Sequence, residues 1–434
     1  MNDGIDRRGV LGLGAGAAIA AAMPAQAARR APFLWGAATA GHQVEGNNVN
    51  ADIWLLEQVT PTVFAEPSGD ACDSLYRWRE DVAIVKALGL NCYRFSVEWS
   101  RIEPSPGQFS QAYLDHYTRI VDHCRSLGLA PVVTFNHFTC PRWFAAAGGW
   151  ENKDAPDLFA RYCDRVARAM GAGISHALTF NEPNLALGGS WAAKPPPQAF
   201  FDKMAASVAA AAKASGSNRF SLLNGGDPVP MIPGVTASHV QAREAIRAAR
   251  GDLPIGMSLA IPDNVAVGSD SGIERKRAEI YGPFFDVMDK DDFVGVQTYG
   301  QAYVGRDRDV EAPASAPRGA DGKEWFPAAI GNVLRYVHKA TGKPVMVTEN
   351  GLDASDDATR QRFIPEAVAS VQAAMRDGVP VLGYIHWSLL DNFEWFSGYG
   401  PKFGLVAVDR KSFKRTPKPS AHVLGQIAKA GGVR

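Results

Sequence analysis

SLYRWREDVAIVKAL (Ser74–Leu88), then Gly89, then CYRFSVEW (Cys92–Trp99): two periodicities meet in this one stretch. In the first part Leu75, Trp78, Val82, Val85 and Leu88 recur at helical spacing, which predicts an amphipathic helix. Gly89 ends it as a C-cap glycine does. The second part is a largely apolar run without strict polar alternation, the pattern of a strand buried on both faces, as in a parallel sheet.

Seven more runs of that second kind lie outward from it: Phe33–Ala40, Pro131–Asn136, Ala177–Asn181, Ile255–Ile261, Phe293–Tyr299, Val345–Glu349 and Leu382–Ser388. Helical patterns alternate with them over Tyr113–Leu127, Ala155–Met170, Ala237–Arg250, Ile273–Met288, Trp325–Lys339, Pro365–Arg376 and Ser420–Ala430. Eight strand–helix alternations predict one parallel α/β domain, a closed (β/α)8 or TIM barrel over residues 28–434. The alternative is an open doubly wound sheet, but the Gly-rich phosphate-binding turn expected after its first strand is absent. The long connection from Pro183 to Pro254 carries Lys194-Pro195-Pro196-Pro197 and an Ala-rich helix near Met204–Ala214. An insert after a candidate catalytic strand reads as a cleft wall.

Residues 1–27 stand apart as a targeting segment. Arg7-Arg8 precede Val10-Leu11, a Gly/Ala run reaches Ala22, and Ala25-Gln26-Ala27 is a small-residue cleavage site. This is a signal-peptide layout of the twin-arginine type. The run is too short and too rich in Gly and Ala for a stable membrane anchor. The expectation is cleavage after Ala27, passage through the export machinery, and a periplasmic or secreted bacterial protein. A formal net charge of +0 leaves no basic footprint for nucleic acid. Five scattered cysteines without a CxxC pair read as small buried hydrophobes, not a disulfide framework. No HExxH or Cys/His cluster calls for a metal, and no cofactor motif is present.

In such a barrel the catalytic groups gather at the C-terminal ends of the strands. Those ends read Gln43, Arg94, Asn136-His137, Asn181-Glu182, Gln297 with Tyr299, Glu349-Asn350, and His386-Trp387 leading to Glu394-Trp395. Amides, carboxylates and indoles suit a neutral polyhydroxylated ligand. Glu182 and Glu349 sit on strands four and seven, nearly opposite in an eight-membered ring. Two facing carboxylates point to glycoside hydrolysis; a gap of roughly 5–5.5 Å gives the retaining route and a wider one the inverting route.

The residues then resemble glycoside hydrolase family 1, the β-glucosidase family. FLWGAATA (Phe33–Ala40) with His42-Gln43-Val44-Glu45-Gly46 is similar to its first strand, and Tyr93-Arg94-Phe95-Ser96 to its second. Thr179-Phe180-Asn181-Glu182-Pro183 resembles the acid/base motif, and Val347-Thr348-Glu349-Asn350-Gly351 the nucleophile motif. WSLLDNFEW (Trp387–Trp395) resembles the C-terminal signature. The resemblance implies that Glu349 attacks the anomeric carbon and Glu182 serves as acid, then base. Arg94 and Tyr299 would bond the nucleophile, and Asn181 the sugar 2-hydroxyl. Gln43, His137, Glu394 and Trp395 would hold other hydroxyls, Gln297 would line the same subsite, and Trp387 would stack under the ring. Four positions depart from the family pattern: His42 for Tyr, Thr139 for Asp, Gln297 for Asn and Thr298 for Tyr. Glu394 stands where the 6-phospho-glycosidase branch has a small hydroxyl residue, which implies non-phosphorylated substrates.

Blander readings compete for single residues. Arg94 also fits a structural ion pair with Glu98 or Glu45, His137 a core histidine, and Trp387 a packing residue at the barrel end. Glu45 and Glu98 read as hydrogen-bonding scaffold, and Asp391-Asn392 as backbone caps. For the whole chain the leading expectation is an exported retaining exo-β-glycosidase acting on small glycosides or oligosaccharides. A transglycosidase of the same chemistry and an inactive glycan-binding relative are the alternatives.

Overall fold

The computed structural model describes residues 32–318, 324–354 and 356–433; the expected signal segment over 1–27 lies outside the described residues. Eight parallel strands form the centre: β1 (Leu34–Ala38), β2 (Cys92–Ser96), β3 (Ala130–Asn136), β4 (His176–Asn181), β5 (Ile255–Ala260), β6 (Phe293–Gln297), β7 (Val345–Glu349) and β8 (Val381–Trp387). Each pairs with its sequence neighbours, and β1 pairs with both β2 and β8, so the sheet closes. Closure removes the open-sheet alternative.

Eight helices follow the strands or precede them around the ring: α1 (Ser74–Leu88), α2 (Gln111–Ser126), α3 (Ala155–Met170), α4 (Ile232–Ala249), α5 (Ile273–Ile280), α6 (Ala329–Thr341), α7 (Asp357–Arg376) and α8 (Pro419–Ala430). Gly89 ends α1 at φ 88°, a left-handed conformation that costs glycine little. The core has two layers. Outward side chains such as Phe95, Val133 and Val296 pack against Val82, Val85 and Val166 of the helices. Inward ones, among them Leu34, Cys92, Val132, Leu178 and Met346, fill the barrel. All five cysteines are buried and unpaired.

α4 starts five residues before the expected Ala237 and α6 four after the expected Trp325; the two largest differences from the sequence reading both involve proline. α7 starts at Asp357, capped by Asp356, and runs through Pro365. Proline costs one backbone bond, but Phe363, Ile364, Ala367 and Val368 bury a continuous face across it. The predicted helix Ile273–Met288 is split: α5 stops at Ile280, and a separate turn Gly282–Phe285 begins at Pro283's favoured first-turn position. The insert after β4 forms a helix over Gln198–Ala214, entered from Pro197. No helix among the described residues is long and apolar enough to cross a membrane.

Candidate active site

Arg94 anchors the site. Cys92 lies inside the barrel, and β-strand alternation places Arg94 on the same inner face. The guanidinium is fully buried. Its Nη1 donates to Glu349 Oε1 at 2.6 Å and to the Thr348 carbonyl at 3.1 Å, and its Nη2 donates to Asn181 Oδ1 at 2.6 Å. Nε donates to Thr134 Oγ1 at 3.2 Å. The alternative partners are taken elsewhere: Glu45 pairs with Arg101 at 2.7 Å, and Glu98 accepts from Asn48 and Thr139.

Glu349 accepts two more bonds. Gln297 Nε2 donates to Oε1 at 3.0 Å, and the Tyr299 hydroxyl donates to Oε2 at 2.6 Å. Gln297 Nε2 also donates to Asn181 Oδ1 at 2.7 Å. Gln297, expected as a sugar contact, thus braces the Glu349 carboxylate and the Asn181 amide through Nε2, while its buried Oε1 has no partner among the described residues. Asn181 spends its oxygen on Arg94 and Gln297, which leaves its buried Nδ2 without a partner among the described residues.

Both glutamate-bearing strands are irregular just before their polar ends. β4 shifts register against β5 between Leu178 and Asn181, and β7 against β6 between Val347 and Glu349. Such a bulge re-aims the following side chain. In β7, Met346 fills the barrel, Thr348 Oγ1 meets Ser258 Oγ, and Glu349 still reaches Arg94. In β4, Phe180 packs against Trp150 and Phe159 outside while Asn181 reaches Arg94 inside. Strict alternation cannot do either.

Glu182 follows β4 with φ 44°, and its N–H donates to the Ser258 carbonyl at 2.9 Å. Asn184 fixes the loop by bonding both the N–H and the carbonyl of Ala260. The Glu182 carboxyl is raised well above the usual range, by burial first and then by the charge of Glu349; only the Arg94 charge opposes this. Burial raises Glu349 too, but Arg94 and the bonds from Tyr299 and Gln297 counter it. Glu349 therefore ionises before Glu182, the division of labour an acid and a nucleophile need.

The remaining predicted residues form a cup beside this pair. Gln43 Nε2 donates to Asn392 Oδ1 and to the Phe393 carbonyl, at 2.9 and 2.7 Å, and more weakly to Glu394 Oε2. Burial raises Glu394 to about 8, with the Glu349 charge adding to it. His137 stacks between Trp387 and Trp395, with centroids at 5.6 and 6.2 Å. Burial, with Arg94, holds His137 neutral by pulling its pKa well down. Trp387 is 4% exposed, joins the barrel filling and meets His137, so it packs the barrel end as well as bordering the cup. Buried atoms without a partner among the described residues include Gln43 Oε1, His137 Nδ1, Asn181 Nδ2 and Glu394 Oε1. Orphaned polar atoms are costly, and four of them at one mouth match a ligand rich in hydroxyls. Asp391 and Asn392 bond backbone as expected, at Gly404 N–H and the Leu390 carbonyl.

The sequence model of glycosyl hydrolase family 1 matches residues 26–220 and 287–433. The chain belongs to this family. β-Glucosidase A of Thermotoga maritima is 31% identical over 435 residues, covering 92% of this chain and 98% of that one. The apo structure of a β-glucosidase designated 1317 superposes with a TM-score of 0.88 at 46% identity, covering 92% and 98% of the two chains. The T. maritima β-glucosidase in complex with deoxynojirimycin gives a TM-score of 0.78 at 27% identity over 93% and 98%. As a family 1 glycoside hydrolase, the chain is a retaining β-glycosidase acting on small-molecule substrates.

Proposed function

We propose that this glycosidase is an exported, exo-acting β-glucosidase in which Glu349 is the nucleophile and Glu182 the acid/base. The observation that carries the assignment is the asymmetry of the pair. One carboxylate accepts bonds from Arg94, Gln297 and Tyr299; the other accepts none of these, and burial first and then the charge of Glu349 push its pKa well up. In the first step Glu349 bonds to the anomeric carbon while the aglycone oxygen leaves with the proton of Glu182. In the second, water gives a proton to Glu182, its oxygen bonds to the anomeric carbon, and Glu349 is released. Asn181 Nδ2 donates to the sugar 2-hydroxyl. Gln43, His137 and Glu394 take the other hydroxyls, with Trp395 at the rim.

Glucose as the glycone is supported by the relatives named β-glucosidase. Export is supported by Arg7-Arg8 and by Ala25-Gln26-Ala27. A panel of aryl β-glycosides tests the reading. Glucosides should be turned over, Glu349→Gln should abolish turnover and covalent trapping, and Glu182→Gln should slow poor leaving groups far more than activated ones. Near-normal rates in both variants would remove the assignment. N-terminal sequencing of secreted protein should begin at Ala28, and a start at Met1 would remove the claim of cleavage after Ala27.

A further inference from the structure

We propose that the leaving-group side of this site is built for an apolar aglycone, an alkyl chain or an aryl ring, and not for a second sugar. The inference rests on the assignment of Glu182 as the acid, because the aglycone must lie where Glu182 can protonate its oxygen.

The chain leaves Glu182 directly into the wall of a second cavity. The Leu185 N–H donates to the Glu182 carbonyl at 3.0 Å, and Leu185 is 44% exposed. That cavity, of about 150 Å³, is lined by Leu185, Phe138, Trp395, Phe396, Leu222 and Leu223, with Asn224 as the polar side chain among its walls. Phe138 and Trp395 join it to the sugar cup: Phe138 follows His137 in the chain, and Trp395 stacks on His137 while meeting Phe138 edge-on at 5.2 Å. Leu222, Leu223 and Asn224 come from the insert after β4, which is therefore a wall of the leaving-group side.

Beyond it lies a larger cavity of about 760 Å³, which shares Asn224 and Gly225 with the first. Phe200, Phe201, Met204 and Val208 of the insert helix line it together with the polar Asn218, Arg219 and Asp227. Phe201 is 47% exposed, so an apolar face continues outward from the cup.

The two sides of the scissile bond are thus chemically opposite. The cup presents Gln43, His137, Asn181 and Glu394 with unpaired polar atoms. The neighbouring cavity presents mainly leucine and aromatic carbon, with Asn224, whose Oδ1 is also without a partner among the described residues, as its single polar amide. A glucosyl leaving group would bring hydroxyls against walls that offer them almost no partners, and a buried unpaired polar group is destabilising. An alkyl or aryl group loses nothing there and leaves water.

The test is kcat/KM for methyl, n-butyl, n-hexyl and n-octyl β-glucosides beside cellobiose, with the same series on another glycone if glucose is not the accepted sugar. The rate should climb with chain length, by up to roughly threefold to fourfold for each methylene that enters the cavity. Octyl glucoside should exceed methyl glucoside by at least roughly tenfold, and hexyl glucoside should outrun cellobiose. Leu185→Gln, at an exposed position, should lower the octyl-to-methyl ratio severalfold; because both substrates meet the same preparation, the ratio is independent of how much protein folds. A flat alkyl series, or cellobiose outrunning hexyl glucoside, overturns the inference while leaving the hydrolase assignment intact. Failure to turn over any β-glycoside overturns that assignment and this inference with it.

Discussion

Replacing Tyr299 with phenylalanine removes one atom that matters, the hydroxyl that donates to Glu349 Oε2 at 2.6 Å. That bond favours the ionised carboxylate, so losing it raises the Glu349 pKa. The rising, acidic limb of the pH–rate profile follows ionisation of Glu349, so it should move to higher pH. A hydrogen bond to a charged group contributes about 1.5–3 kcal/mol. On the acidic limb this corresponds to a fall in kcat/KM of roughly tenfold to a hundredfold. Tyr299 is 40% exposed, and water can partly replace the phenol, so the lower end of that range is expected. At higher pH, on the plateau where Glu349 is ionised with or without the phenol, the change should be smaller. The assay is kcat/KM across pH with an activated aryl β-glucoside, beside a thermal melt that should hardly move because the ring remains. A profile that only scales down, with its acidic midpoint fixed or moved to lower pH, refutes the role given to Tyr299.

Gln297→Leu removes the brace between Glu349 and Asn181; it should shift the same limb the same way and also raise KM, read from the same profiles. Arg415→Met breaks a buried ion pair with Asp81 at 2.8 Å, both side chains at most 1% exposed. Urea denaturation should show a loss of about 3–5 kcal/mol, with kcat/KM per folded molecule unchanged because the pair lies outside the catalytic set. Gly351→Ala would place a methyl 2.0 Å from the Trp387 carbonyl. It should cost about 1–3 kcal/mol in the same assay and lower kcat/KM by displacing Trp387 against His137.

The barrel strands were legible because a parallel sheet covered on both faces leaves runs such as Val345–Glu349 with hardly a polar interruption. Helix starts were harder. The start of α7 depends on Asp356 and on packing that overrides Pro365, neither of which periodicity measures. At the site, the polar residues at strand ends named the participants but not their partners. Arg94 had three candidate carboxylates in the sequence, and only closure of the barrel brings Glu349 to it while Arg101 takes Glu45. That Gln297 turns its Nε2 to Glu349 and Asn181, with its buried Oε1 left unpartnered among the described residues, depends on register and is invisible in the sequence. His42, a departure from the family pattern, pairs with Glu57 at 2.8 Å beneath Trp395.

The register shifts in β4 and β7 bear on any attempt to move this chemistry to another scaffold. A designer who transplanted Thr179–Pro183 and Val347–Gly351 onto an idealised, perfectly regular barrel would keep every letter of both motifs. Counting by twos from Leu178 and Met346, Asn181 and Glu349 would then face the helices and be lost to the mouth. The portable unit is each motif together with its extra residue of slack, and a graft that omits the slack should fold and do nothing.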